Sequence, residues 1–127
     1  MAEAVTLLSH RKRLAKQMAG GPPVPKIAYM AFGDGGHDPA TLKSVQPSDT
    51  QIALNHEVLR KPLMSTVQED DLSVTGGGML ERDELIGVHI SESALVDEQG
   101  NLIGIKNFSP KVKESDERYE ISIKLRY

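Results

Sequence analysis

Hydrophobic residues recur at intervals of three and four between residues 3 and 18, which predicts an amphipathic N-terminal helix. The glycines and prolines of residues 20–23 would end it. Such a helix packs on its own domain, or it docks on another copy or another protein, and the spacing leaves these alternatives open. The residues on the expected apolar face are Ala4, Leu7, Leu8, Arg11, Leu14, Ala15 and Met18.

After Pro25 the pattern changes from helical to extended. Residues 26–32 are apolar and bounded by proline and glycine, which predicts a buried strand. Residues 39–50 are polar and irregular, as in an exposed loop. We expect a short helix over residues 51–55. Residues 58–63 should be extended, because Pro62 disfavours a helical conformation of the residue before it.

From residue 64 onward the pattern is typical of strands. Residues 64–69 and 72–78 predict a hairpin, and the triple glycine 76–78 predicts a flexible turn or a kink in its second strand. Apolar and polar residues alternate strictly over residues 118–127, which predicts a half-buried strand. Further strands are expected at 84–91, 93–97 and 101–108, with a turn at 98–100 in which Gly100 takes positive φ.

Consecutive strands joined by short turns indicate an antiparallel sheet protein. The predicted fold class is therefore α+β, mostly β: an N-terminal amphipathic helix followed by an antiparallel β-sandwich-like body. We expect a single domain over residues 1–127, with the helix in residues 1–20 and the β-rich body in residues 26–127.

Charge is distributed unevenly along the chain. The net charge is −3, but residues 1–26 contain five basic residues against one acidic residue, a net +4, which leaves −7 for residues 27–127. A basic arm can bind nucleic acid, yet an acidic body would repel DNA, and the chain contains no recognised nucleic-acid-binding motif. A solvated or subunit-docking helix face is the preferred interpretation, because charge complementarity commonly directs protein docking.

Composition further restricts the class of protein to which the chain can belong. No cysteine is present, no apolar run reaches the roughly 20 residues of a membrane span, and the N-terminus lacks the apolar region of a signal peptide. We therefore expect synthesis in the cytoplasm and no membrane insertion.

The segment "AFGDGGHDP" (residues 31–39) is the best candidate for a chemical site. A phosphate-binding loop would need a Lys-Ser/Thr pair and a following helix, and both are missing. Asp34, His37 and Asp38 do not match the spacing of a calcium loop, and the four histidines form no zinc-binding pair. We expect no metal, no cofactor and no catalytic residues. A small metal-dependent hydrolase centred on these three residues remains an alternative.

Backbone conformation offers another explanation of this segment. Gly33, Gly35 and Gly36 are expected to take positive φ, so that a buried strand can end and reverse. Asp34 and His37 would then bond the turn or a neighbouring subunit.

Three segments together resemble the phage tail-collar fibre domain, and the similarity extends over nearly the whole of residues 1–127. These segments are "AYMAFGDGG", "TQIALNHEVLRKPL" and "ELIGVHISESALVDEQGNLIGIKNFSPK". The resemblance implies a structural protein, not an enzyme, that attaches or forms the base of the tail fibre or collar at the baseplate of a contractile phage, bacteriocin or injection particle. Its implied partners are baseplate and tail-fibre proteins, and its implied assembly is a homo-oligomer, with a trimer preferred.

We expect assembly with these partners by surface complementarity. The sequence ends at Tyr127, where a fibre shaft would be expected, which favours an adaptor, a collar piece or one half of a split fibre. Apolar contact would come from Leu7, Leu8, Leu14 and Met18, selection of an acidic neighbour from Arg11, Lys12 and Arg13, and a structural loop from Gly33, Asp34, Gly35 and Gly36. The terminal strand would complete the sheet or pair with a partner's edge. The alternative is a receptor- or carbohydrate-binding β module, although the chain has few aromatic residues to stack on a sugar.

Overall fold

A computed structural model describes residues 4–127, and Glu3, at the expected start of the helix, lies outside this range. Strands contain 45% of the residues and helix 9%, which confirms the expected α+β, mostly β class. In chain order, the elements are β1 (Val5–Thr6), α1 (Leu8–Met18), β2 (Ile27–Gly33), β3 (Glu57–Pro62), β4 (Ser65–Val67), β5 (Ser73–Leu80), β6 (His89–Asp97), β7 (Leu102–Val112) and β8 (Tyr119–Arg126).

The strands form two antiparallel sheets. One has five strands in the order β1-β7-β6-β2-β3, and the other has three in the order β4-β5-β8. β6 and β7 form the hairpin predicted around residues 98–100, and Gly100 has φ 87° as expected. The predicted hairpin at residues 64–78 corresponds to β4 and β5, which pair antiparallel.

The main core lies between the two sheets. The alternation predicted for the C-terminal strand is confirmed, because Ile121, Ile123 and Leu125 of β8 are all at most 5% exposed. They pack with Met30, Phe32, Leu80, Ile90, Leu95 and Ile103. Burying one such side chain contributes about 1.5–3 kcal/mol. A second, smaller cluster contains Leu7, Ala31, Leu54, Ala94, Val96, Leu102 and Ile105.

The triple glycine is regular strand rather than a turn or kink, so that expectation was wrong. Gly76 and Gly78 pair with Ile123 and Ile121 in the middle of β5. A Cβ atom at Gly76 would lie 2.5 Å from Leu95 Cδ2 of the other sheet. The missing side chains let the two sheets approach each other closely.

The helix starts later than predicted, at Leu8. Val5 and Thr6 form β1 instead and pair with Ile105 and Gly104 of β7. β-branched residues suit a strand better than a helix, and the edge of β7 provides the hydrogen-bond partners. Leu7 is consequently the residue before the helix, and its side chain is fully buried.

The short helix expected over residues 51–55 is absent. The N–H groups of Asn55 and His56 donate to the carboxylate of Glu92, 2.8 Å away in each case, so they are not available for helical hydrogen bonds. Residues 81–88 form turns rather than the start of a strand, with Leu85 at φ 51°. The two strands expected at 84–91 and 93–97 are in fact one strand, β6.

Candidate functional site

The glycine loop, residues 33–38, is tied to its neighbours by one buried carboxylate. Glu92 of β6 is 0% exposed. Its Oε2 atom accepts hydrogen bonds from the backbone N–H groups of Gly35 and His56, each at 2.8 Å. Its Oε1 atom accepts one from Asn55 N–H, also at 2.8 Å. Three segments that are distant in sequence, those of Gly35, Asn55-His56 and Glu92, therefore meet on this side chain.

The glycines of the loop are explained by close approach. None of Gly33, Gly35 and Gly36 has positive φ, so the expected conformational reason was wrong. A Cβ atom at Gly33 would lie 2.5 Å from Glu92 Oε2, and one at Gly36 would overlap the carbonyl oxygen of Ser91. The loop lies so close to β6 that a side chain pointing toward the strand would not fit.

The candidate metal ligands of the loop contact three different partners. Asp34 bonds the exposed ring of His56, and Asp38 Oδ1 accepts a hydrogen bond from its own turn, at Ala40 N–H. His37 Nδ1 lies 2.7 Å from the buried Ser91 hydroxyl. Across residues 4–127, no group of three histidine or carboxylate side chains could hold a metal ion. The structure does not bring Asp34, His37 and Asp38 together.

The same contacts bear on nucleophilic catalysis. A Ser-His-Asp relay needs one histidine that contacts both other groups. Here Ser91 contacts His37 while Asp34 contacts His56, so the two pairs are separate. Ser91 is also fully buried, and its hydroxyl accepts a hydrogen bond from Gly36 N–H at 2.9 Å. Both pairs hold the loop against adjacent segments.

The predicted docking residues divide into an inward and an outward set. Leu7 lies in the second core cluster and is not available for contact with a partner. Leu8, Arg13 and Leu14 are half-buried. Arg11, Lys12 and Met18 are exposed, Met18 at 88%.

Sequence reasoning missed His10, which is the buried residue of α1. Its Nε2 atom lies 2.9 Å from the Tyr127 hydroxyl, so the helix is joined to the end of β8. Burial and the neighbouring Arg13 guanidinium lower the pKa of His10, and Asp97 opposes them in part. His10 stands three residues after Leu7 and four before Leu14, and this helical spacing was the available signal.

The basic side chains of α1 have no ion-pair partner within residues 4–127. Elsewhere the chain does pair its charges, for example in Arg60–Glu57, Lys111–Glu117 and Arg118–Glu81. None of Arg11, Lys12, Arg13 and Lys16 takes part in such a contact with the described carboxylates. Arg11, Lys12 and Lys16 are exposed, so their positive charge is presented to the surroundings, whereas the Nε and Nη2 atoms of Arg13 are buried.

A groove of about 450 Å³ lies between β7 and the free edge of β8. Lys106 Nζ crosses it and donates to the carbonyl oxygen of Ser122 at 3.2 Å. Lys111 lies over the ring of Tyr119, 5.5 Å from its centroid, and burial raises the pKa of that tyrosine. The groove also contains Phe108 and Glu120.

None of the helical structure in residues 4–127 is long and apolar enough to span a membrane. Comparison with protein-family models gave no matching family, and comparisons with curated proteins and with solved structures gave no match.

Proposed function

We propose that the chain is a structural subunit of a contractile phage tail or phage-like particle. It attaches, or forms the base of, the tail fibre or collar at the baseplate through protein–protein contacts. It assembles as a homo-oligomer, with a trimer as the preferred state, and it catalyses no reaction.

The convergence of three segments on Glu92 supports this proposal most directly. The glycine loop, Asn55-His56 and Ser91-Glu92 each belong to one of the three segments that resemble tail-collar fibre domains. Their polar groups bond one another rather than an open site. Such an arrangement favours a role in holding a shape.

The exposed face of α1 is the proposed attachment surface. Arg11, Lys12 and Met18 project outward, and the positive side chains among them have no intramolecular carboxylate partner within residues 4–127. An acidic surface of a baseplate or fibre protein would complement them. Leu7 is omitted from this surface because it is needed in the core.

Incorporation into particles tests the proposal. Tail particles are purified from producing cells, and the amount of this chain that sediments with them is measured for the wild type, Lys12→Glu and the matched control Lys43→Glu. Both lysines are exposed, both changes alter the charge by −2, and only Lys12 lies on α1. We expect about a tenfold loss for Lys12→Glu alone. A wild-type chain that is absent from the particles would overturn the proposed function.

Point variants are preferable to a truncation. Deleting residues 1–18 would remove β1 and the buried Leu7 along with the helix. The β-body would then lose part of its core, and a failure to assemble would not identify the attachment surface.

The β7–β8 groove favours a second candidate, a carbohydrate-binding module. Aromatic rings beside polar side chains are typical of sugar sites, and Phe108 and Tyr119 lie beside Lys106 and Glu120 there. Binding on a glycan array that is lost in Tyr119→Ala would support this candidate. No binding by the wild type would reject it.

A further inference from the structure

A second groove, of about 450 Å³, lies between α1 and the end of β8. It is bordered by Arg11 and Leu14 of the helix, by Arg126 at the end of β8, by Tyr127 directly after it, and by Thr6 of β1. We call it the two-arginine groove. Arg126 comes from the opposite end of the chain. The basic N-terminal arm identified in the sequence therefore contains only one of the two arginines of this groove.

The walls of the groove are held in place by hydrogen bonds. Tyr127 is fixed from two sides, because its hydroxyl lies 2.9 Å from His10 Nε2 and its N–H donates to the Leu72 carbonyl at 2.8 Å. The hydroxyl of Thr6 donates to the Arg126 carbonyl oxygen at 3.3 Å. A surface whose backbone is already positioned loses less entropy when a partner binds.

Charge identifies the chemistry of the occupant. Arg11 and Arg126 are exposed and form no ion pair with any carboxylate of residues 4–127. A guanidinium group binds a carboxylate through two parallel hydrogen bonds, which an ammonium group cannot do. Leu14 and Tyr127 add partly exposed apolar surface beside the two charges.

We propose that the two-arginine groove binds an acidic segment of a partner protein. One carboxylate of the segment lies between Arg11 and Arg126, and an adjacent apolar side chain packs on Leu14 and Tyr127. This inference rests on the proposed function and deepens it, since it assigns the attachment contact to a composite of α1 and β8 rather than to α1 alone. The acidic character of residues 27–127 opposes nucleic acid as the occupant.

Binding of a defined peptide tests the groove independently of any particle. The probe is a fluorescein-labelled peptide of sequence Gly-Glu-Leu-Glu-Phe-Gly, and its twin carries Gln in place of both Glu residues. Fluorescence anisotropy at low salt should give a Kd of about 1 mM or below for the acidic peptide. We expect about tenfold weaker binding for the twin, and the same loss for Arg11→Gln and for Arg126→Gln. Lys26→Gln, an exposed control with the same change of charge outside the groove, should bind like the wild type.

Four outcomes of the binding measurements would overturn the inference. They are no binding of the acidic peptide, equal binding of both peptides, unchanged binding in Arg126→Gln, and preferential binding of a duplex DNA oligonucleotide. Self-association that depends on Arg126, measured by sedimentation, would also overturn the inference. The occupant of the groove would then be a second copy of the chain.

The result can be separated from that of the proposed function. If Arg126→Gln enters particles normally while Lys12→Glu does not, the groove is rejected and attachment through α1 stands. If the peptide binds as expected but the chain is absent from particles, the groove stands as an acidic-peptide site and the tail function fails.

Discussion

At the scale of single residues, Glu92 is the most informative position of the chain. In the sequence it stands between two serines and resembles an ordinary exposed acid. Ala94 and Val96, two and four positions further along, lie in the second core cluster. Alternate residues of a strand share a face, so a charged residue in line with these two apolar residues was the available signal of a buried carboxylate. Its partners could not be predicted, because Gly35 and Asn55 are distant in sequence and meet it only through the sheet.

We predict that Glu92→Gln destabilises the protein by about 3 kcal/mol, because the amide keeps one acceptor oxygen and points N–H groups at backbone donors. Urea unfolding measures the change in the free energy of unfolding. Glu114→Gln is the control, since Glu114 is exposed and its side chain has no hydrogen bond within the described part of the chain. Equal stability of the two variants would contradict the role assigned to Glu92.

Glycines are needed in this chain for two different reasons. Some leave space for a neighbouring atom, and others have a positive φ. Gly36 needs space, because a Cβ atom there would overlap the Ser91 carbonyl oxygen, whereas Gly87 has φ 79° and open surroundings. Asparagine tolerates positive φ but fills space. We predict a loss of about 2 kcal/mol or more for Gly36→Asn and less than about 1 kcal/mol for Gly87→Asn, as measured by thermal unfolding. The reverse order would contradict this assignment.

At the scale of elements, α1 shows how tertiary contacts override local periodicity. The apolar spacing predicted a helix from residue 3. Val5 and Thr6 instead form β1, because they pair with the edge of β7. The helix then packs through Leu7 and His10 at its start, while Met18 at its end lies in solvent. Periodicity identifies an apolar stripe on the helix. How much of that stripe is buried depends on how far the β-rich body extends beneath the helix.

The lowered pKa of His10 predicts that the packing of α1 on the β-rich body depends on pH. Its pKa in the folded protein is below its ordinary value of 6.5, so the unfolded chain binds the proton more readily. Its contribution to stability is therefore complete above about pH 6.5 and is lost as the pH falls through the lowered pKa. The charged or titratable groups that face it are Arg13, Asp97 and Tyr127.

We predict that the wild type loses stability relative to His10→Gln as the pH is lowered from about 7.5 to about 5. Glutamine does not titrate and can still bond the Tyr127 hydroxyl, so titration of the other groups cancels in the difference. Urea unfolding at a series of pH values measures it. A difference that is independent of pH would show that burial of His10 does not control its protonation.

At the scale of the whole molecule, glycines set the distance between the sheets. Leu95 of one sheet occupies the space above Gly76 of the other, and Met30 does the same above Gly78. Three adjacent glycines favour a turn when only neighbours in the chain are considered. Their place in a central strand depends on side chains of the opposite sheet, which local propensity does not include.

We predict that Gly76→Ala and Leu95→Ala compensate each other. Each alone destabilises the protein by about 2 kcal/mol or more, through a clash in the first case and a cavity in the second. The double variant should recover at least about 1 kcal/mol relative to the sum, as determined by a double-mutant cycle in urea. Gly76→Ala with Ile105→Ala is the control, because Ile105 belongs to the other core cluster, and it should be additive.

Features that depend on neighbours along the chain could be predicted from the residues alone. The α+β, mostly β class, the alternating C-terminal strand, the turn at Gly100 and the basic N-terminal arm all follow from local spacing and composition. Which distant groups come together was settled only by the folded arrangement: Glu92 contacts three backbone N–H groups, Gly76 lies against Leu95, and Arg11 and Arg126 border the same groove. The reason is physical, since close approach and hydrogen-bond satisfaction are properties of groups in space, and strand pairing brings together residues that are far apart in the chain.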